Sequence, residues 1–159
     1  MRNLPADLFN DRLAPQDARL LREALSCPVQ EGPTFSWGVI TAPGTELYGS
    51  PAGRDPTSAI GADTYWPQVF PTEILALGVS LLAGADYTLR IYTSQGAASV
   101  LLREIEIADG GPAFRRLDLE DDAGNGALLV PAPSGVAISV AASAIGGITV
   151  TPYLRRRTA

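Results

Sequence analysis

Residues 87–107 read YTLRIYTSQGAASVLLREIEI, and this stretch decides the fold class of the chain. Apolar and polar side chains alternate over 87–93, a turn follows at 94–97, and the alternation resumes over 99–107. A period of two residues is typical of a strand that buries one face and solvates the other. The stretch therefore predicts an antiparallel hairpin, with Leu101, Arg103, Ile105 and Ile107 on one face of its second strand.

Short apolar runs separated by turns continue on both sides of this hairpin. They predict further strands over residues 34–42, 113–119, 128–130, 135–141 and 147–153, and short edge strands over 46–49 and 65–70. Residues 72–82 fit either a helix or a strand, and we choose a strand because Gly78 and Gly84 flank short apolar runs. Pro67 restricts 65–70 to an edge, because proline cannot donate a ladder hydrogen bond. Residues 49–63 predict a surface loop. The spacing predicts a mainly β fold, an antiparallel β-sandwich or jelly roll.

Residues 1–28 have a different pattern and are predicted to be a helical anchor segment ahead of a β-sandwich domain over 29–159. A short turn is expected near 4–12 and a helix near 15–26, ended by Pro28. The helix would carry an apolar stripe of Leu20, Leu21, Ala24 and Leu25. This stripe must be buried. It either covers the β domain or acts as a docking helix on a partner.

Composition excludes several kinds of chemistry. The 159 residues include no histidine, and all 12 basic residues are arginine. Without histidine, a serine or cysteine nucleophile has no imidazole base. With Cys27 as the only thiol, the usual zinc and copper sites and an intrachain disulfide are also excluded. We expect no catalysis and no cofactor, unless carboxylates act alone.

Charge and hydropathy restrict the partners. The net charge of −5 disfavours nucleic-acid binding, which requires a basic face. No apolar run is long enough to span a membrane, and the N-terminus has no secretory h-region. The chain is therefore expected to be made in the cytoplasm, where a lone thiol stays reduced.

Four aromatic residues are candidates for glycan binding. An aromatic ring packs its face against the C–H groups of a sugar, and a polar tip forms hydrogen bonds. The alternative is that these side chains belong to the core, as we expect for Trp37. The candidates are Tyr48, Tyr65, Trp66 and Tyr92.

Two acidic groups carry further alternatives. Glu104 and Glu106 are two positions apart on a strand, about 6.8 Å, which lies within the range of inverting glycosidases; otherwise they belong to a solvated face beside Arg90 and Arg103. A second, oxygen-rich stretch suits calcium, and the alternative is an ordinary acidic turn. Its candidate ligands are Asp118, Glu120, Asp122 and Asn125.

The last basic run, residues 155–157, has two interpretations. It is either a solvated, frayed tail or a grip on an acidic partner surface.

The layout resembles accessory virion proteins, of head-spike or fibre type, from tailed phages and gene transfer agents. The likeness rests on PQDARLLREALSCP at 15–28, on the hairpin at 87–107, and on GVAISVAASAIGGITVTPYL at 135–154. It implies a structural role in the virion, docking of the N-terminal segment on a capsid or other virion protein, symmetric homo-oligomers, and contact with host polysaccharide. Residues 87–92 and the last two strands also look like carbohydrate-binding modules. No site residue transfers from either group.

Three functions follow, in this order: a structural virion component, a carbohydrate-binding module, and a carboxylate glycosidase that uses Glu104 and Glu106.

Overall fold

A computed structural model describes residues 28–95, 98–120 and 126–157. The predicted helix at 15–26, with Leu20, Leu21, Ala24 and Leu25, and the predicted turn near 4–12 lie outside these residues. The division of the chain at residue 28 stays a prediction. Among the described residues, the only helical turn is a 3-10 turn at Ala62–Thr64, and no helix there is long and apolar enough to cross a membrane.

The described residues form eleven strands: β1 Gln30–Glu31, β2 Phe35–Ser36, β3 Leu47–Tyr48, β4 Trp66–Gln68, β5 Thr72–Leu81, β6 Tyr87–Gln95, β7 Ala98–Ile107, β8 Phe114–Asp118, β9 Leu128–Val130, β10 Ser134–Ala142 and β11 Ile148–Arg156.

The strands build two antiparallel sheets, which confirms the mainly β, sandwich-like fold. In sheet I, β1 and β2 pair with β11, then comes β5, and β8 and β9 form the far edge. In sheet II, β3 and β4 lie along one side of β10, with β6 and then β7 on the other. One edge of sheet II therefore consists of β3 and β4, which lie where short edge strands were predicted. The other edge is β7, the second strand of the predicted hairpin.

The core lies between the sheets and contains the inward half of each alternating strand. Leu89 and Ile91 of β6, Ile138 of β10, and Val150 of β11 are all fully buried there. Burial of such side chains stabilises the sandwich by roughly 1.5–3 kcal/mol each. Trp37, 2% exposed, belongs to this core as expected, and its indole N–H donates to the Leu47 carbonyl at 2.8 Å.

The strand predicted over 34–42 is wrong in extent. Only Phe35–Ser36 forms a strand, and Ile40 adds an isolated bridge to Gly146. Gly38 adopts a φ of +51°, a left-handed conformation that breaks an extended strand. Phe35, Trp37 and Ile40 are nevertheless buried, so the apolar residues of this stretch reflect burial of these three side chains rather than continuous pairing.

The hairpin at 87–107 is confirmed, but its second strand contains a bulge. Ile91 pairs with Arg103, and the next residue, Tyr92, pairs with Leu101, so Leu102 is an extra residue. A bulge moves the following side chains to the other face. The predicted grouping of Leu101 with Arg103 is therefore wrong.

The frayed tail predicted as one interpretation of 155–157 is also wrong. Strand β11 continues to Arg156 and pairs with the start of β5. Arg155 donates to Glu73 Oε2 at 2.9 Å, and Arg157 donates to Glu73 Oε1. The Glu73 side chain is only 8% exposed, so these arginines neutralise a nearly buried carboxylate.

Candidate functional site

The outward face of sheet II brings together most of the polar residues singled out above. Because side chains alternate along a strand, every second residue of β6, β7 and β10 points away from the core. The register places these outward residues in neighbouring rows. They are Thr88, Arg90 and Tyr92 of β6; Leu101, Glu104 and Glu106 of β7; and Gly135, Ala137, Ser139 and Ala141 of β10.

Three tyrosines cover the small residues of β10, and we call Tyr48, Tyr65 and Tyr92 the tyrosine face. The rings of Tyr48 and Tyr92 lie 5.7 Å apart at an angle of 51°, a tilted arrangement that aromatic pairs favour. Tyr65 lies directly over Gly135, since a Cβ at that position would overlap its ring. All three side chains are half-buried, so part of each ring is open to solvent.

A carboxylate fixes the edge of the tyrosine face. Glu46 immediately precedes β3, and its Oε1 accepts hydrogen bonds from the hydroxyls of Tyr92 at 2.6 Å and Ser139 at 2.5 Å. Its Oε2 lies 3.5 Å from a guanidinium nitrogen of Arg90. Three donors from two strands therefore hold one carboxylate in place.

The network continues across β6 to β7. Arg90 Nε donates to Glu104 Oε2 at 2.7 Å, so this guanidinium lies between two carboxylates. Thr88 Oγ1 lies 3.0 and 3.1 Å from the two oxygens of Glu106, to which it donates. Each pair lies directly opposite in the register of the hairpin.

The pKa directions follow from these contacts. Burial raises the pKa of Glu46, but hydrogen bonds from Ser139 and Tyr92 and the charge of Arg90 outweigh it, so the pKa falls below 4.5. Burial, followed by the hydrogen bond to Glu46 and its charge, raises the pKa of Tyr92 above 10.0. The hydrogen bond to Glu104 raises the pKa of Arg90. Glu46 is therefore ionised, and Tyr92 and Arg90 are protonated, near neutral pH.

The hydroxyl of Tyr65 differs from that of Tyr92, since it is buried without a hydrogen-bond partner. A buried hydroxyl in this state costs roughly 1–3 kcal/mol. Tyr65 therefore contributes its ring to the tyrosine face, while Tyr92 contributes both a ring and a fixed polar group.

Trp66, the fourth aromatic candidate, lies elsewhere. It follows Tyr65 in the chain and points to the opposite side of β4, where its ring approaches Gly32 and Pro152. It lines a cleft of about 350 Å³ between β1 and β4. Gln68 lines the same cleft, and its amide nitrogen is buried without a partner.

The remaining predicted site residues have different surroundings in the structure. Glu104 and Glu106 do share one face, as expected, but each is paired with a neighbour on β6. Asp118 Oδ1 accepts a hydrogen bond from Arg116 Nε at 2.7 Å, and Glu120 Oε1 lies 3.9 Å from Arg155 Nη2. The other calcium candidates, Asp122 and Asn125, lie outside the described residues. Within the described ranges, no three acidic or cysteine side chains converge as a metal site.

Two contributors to the site were missed in the sequence. Glu46 was assigned only to a short edge strand, and Ser139 was one residue of an apolar strand. The signal that could have marked Ser139 is a hydroxyl in an otherwise apolar run, since such a group needs a partner when buried. That partner, Glu46, is 93 positions away in the chain.

Comparison with known proteins adds no relative: no protein-family model matches this chain, and no curated protein matches it.

The chemistry available on the tyrosine face is stacking and hydrogen bonding. Half-exposed rings offer apolar surface to sugar C–H groups. The carboxylates of Glu46, Glu104 and Glu106 can accept hydrogen bonds from hydroxyl groups, and charge-assisted hydrogen bonds are stronger than neutral ones.

Proposed function

We propose that this chain is a non-catalytic, glycan-binding β-sandwich that is displayed as a head-spike or fibre component of a phage-like particle. The observation that carries the glycan-binding part is the half-exposed Tyr48–Tyr92 pair, with rings 5.7 Å apart, bordered by the hydrogen-bonded carboxylate of Glu46. Such a surface needs little ordering before a ligand binds, because its side chains are already held by one another.

The position of β1 supports display. Residues 28 and 29 lead into β1, at the edge of sheet I, whereas the tyrosine face lies on the outward side of sheet II. A segment attached ahead of β1 thus joins the sheet that does not carry the tyrosine face. The anchor segment of residues 1–28, with the helix expected near 15–26, would dock on a capsid or other virion protein, and the jelly-roll-like domain would assemble as a symmetric homo-oligomer.

The contacts of the two glutamates support a non-catalytic role. Inverting glycosidases need one carboxylic acid and one carboxylate on opposite sides of a sugar. Glu104 and Glu106 instead lie side by side on one strand, and each is engaged by a residue of β6, Arg90 or Thr88.

The proposal is tested by affinity electrophoresis of the full chain through gels that contain one polysaccharide each. The panel is dextran, galactomannan and mannan beside carboxymethyl dextran, polygalacturonate and alginate. We expect at least one polymer to retard the chain, and Tyr48→Ala to weaken that binding about tenfold, since loss of a stacked ring costs roughly 1–3 kcal/mol by analogy with base stacking.

The matched control is Phe114→Ala. Phe114 is an aromatic residue that is 79% exposed on β8 of sheet I, far from the tyrosine face. It should leave the retardation unchanged. Absence of retardation by all six polymers, or equal loss in both variants, would overturn the glycan-binding proposal.

The display part has its own test. Light scattering of the full chain should give the mass of an oligomer of several copies. A monomer that also fails to associate with the phage-like particle would favour a stand-alone carbohydrate-binding module.

A further inference from the structure

Negatively charged side chains outnumber positively charged ones around the tyrosine face. Its outward strand positions and the adjoining Glu46 carry three carboxylates, Glu46, Glu104 and Glu106, against one guanidinium, Arg90. Among the described outward positions of sheet II, Arg90 is the only cationic residue. The chain as a whole is also acidic, with a net charge of −5.

The single guanidinium is not free to receive an anion. Arg90 donates to Glu104 at 2.7 Å and lies 3.5 Å from Glu46. Its side chain is 29% exposed, less than the 46% of Glu104. An anionic ligand would have to displace a carboxylate from Arg90 and would then face that carboxylate across the surface.

We propose that the tyrosine face selects uncharged glycans and rejects anionic ones. This inference rests on the proposed glycan-binding function and adds the class of ligand. A neutral sugar brings hydroxyl donors, which match the three acceptor carboxylates, and C–H faces, which match the tyrosine rings. A uronate or sulfate over the tyrosine rings brings like charge beside Glu46, whose Oε1 lies 2.6 Å from the Tyr92 hydroxyl. Glu104 and Glu106 lie further along the same face, and the repulsion between charges extends over the Debye length of about 10 Å at 0.1 M salt.

The six-polymer panel tests the inference directly. Dextran and carboxymethyl dextran share one backbone and differ in charge, and galactomannan and mannan stand against polygalacturonate and alginate. We expect the bound polymers to be neutral, with anionic polymers at least tenfold weaker at 20 mM salt. The gap should narrow at 300 mM salt, because screening weakens the repulsion.

Glu106→Gln identifies the source of the discrimination. The amide keeps an acceptor for Thr88 and removes one negative charge, so the ratio of anionic to neutral polymer binding should rise about threefold. Glu31→Gln is the matched control, since Glu31 is an exposed carboxylate on β1 of sheet I. It should leave the ratio of anionic to neutral binding unchanged.

The possible outcomes separate the two proposals. Tyr48-dependent binding of neutral polymers alone supports both. If an anionic polymer binds as tightly as a neutral one, or tighter, and Tyr48→Ala abolishes it, then the selectivity is wrong and glycan binding stands. If none of the six polymers binds, glycan binding itself is overturned. Equal effects of Glu106→Gln and Glu31→Gln would also refute the assignment of selectivity to this face.

Discussion

Gly135→Ala should disrupt the tyrosine face from beneath. Gly135 is a buried position of β10, and a Cβ there would overlap the ring of Tyr65. Its backbone is not left-handed, so alanine is otherwise acceptable at this position. The added methyl group must either strain the packing or force Tyr65 off the sheet.

Both responses cost a similar amount of free energy. Overpacking of a buried site costs typically 1–3 kcal/mol. If Tyr65 swings out instead, it returns about 100 Å² of apolar surface to water, about 2.5 kcal/mol at 25 cal/mol per Å². We therefore expect Gly135→Ala to lower the free energy of unfolding by about 2 kcal/mol, and Tm by about 4–8 °C.

A double-mutant cycle with Tyr65→Ala isolates this contact. Once the ring is absent, the three atoms nearest to the added methyl group are gone, and Gly135→Ala should stabilise by about 0.5 kcal/mol because it lowers the entropy of the unfolded chain. The coupling free energy should therefore be about −2.5 kcal/mol. Urea unfolding, followed by the fluorescence of Trp37 and Trp66, measures the wild type, the two single variants and the double variant.

Gly61→Ala is the control for the change from glycine to alanine. A Cβ at Gly61 meets no atom within 4 Å, so its effect should stay within about 0.5 kcal/mol in either background. Additive effects of Gly135→Ala and Tyr65→Ala, within about 0.5 kcal/mol, would refute the position of Tyr65 over Gly135.

Three further predictions concern the polar groups. Burial raises the pKa of Glu73, but hydrogen bonds from Arg157 and Arg155 and their charges lower it below 4.5. Glu73→Gln should therefore lower the free energy of unfolding by about 2 kcal/mol near pH 7. The difference between variant and wild type should shrink as the pH falls below 4.5 and through the pKa of Glu73 in the folded state. Urea unfolding at several pH values measures it. Glu46→Gln removes the negative charge that lies beside the Tyr92 hydroxyl. The pKa of Tyr92 should therefore fall, and absorbance titration of tyrosinate measures the change. Tyr65→Phe removes a buried hydroxyl without a partner and should stabilise the fold by about 1 kcal/mol in urea unfolding.

Each of these has a contradicting result. The control for Glu73→Gln is Asp118→Asn, which breaks an ion pair whose two side chains are both 63% exposed. This variant should change the free energy of unfolding by less than about 1 kcal/mol. A loss as large as that of Glu73→Gln would show that burial of Glu73 is unimportant. An unchanged tyrosine titration in Glu46→Gln would refute the Tyr92–Glu46 hydrogen bond. Destabilisation by Tyr65→Phe would mean that the hydroxyl has a partner.

The sequence alone determined the strands that have a strong period of two and flanking turns. The hairpin at 87–107 and the faces of Leu89 and Ile91 follow from alternation, because burying one face of a strand leaves a local pattern. Strands β5 and β10 were instead predicted from short apolar runs bounded by turns. The same reasoning put Glu104 and Glu106 on one face and Trp37 in the core.

Tertiary structure decided what depends on contacts distant in the chain. The bulge at Leu102, the end of β2 at Ser36, and the partner of Ser139 arise from pairings that a local pattern does not contain. Tyr65 and Trp66, adjacent in the chain, were grouped as one candidate site, yet a strand sends neighbouring side chains to opposite faces. Pairing of β3, β4 and β6 with β10 then brought Tyr48, Tyr65 and Tyr92 together, because hydrogen-bonded register, rather than composition, fixes which side chains are neighbours across a sheet.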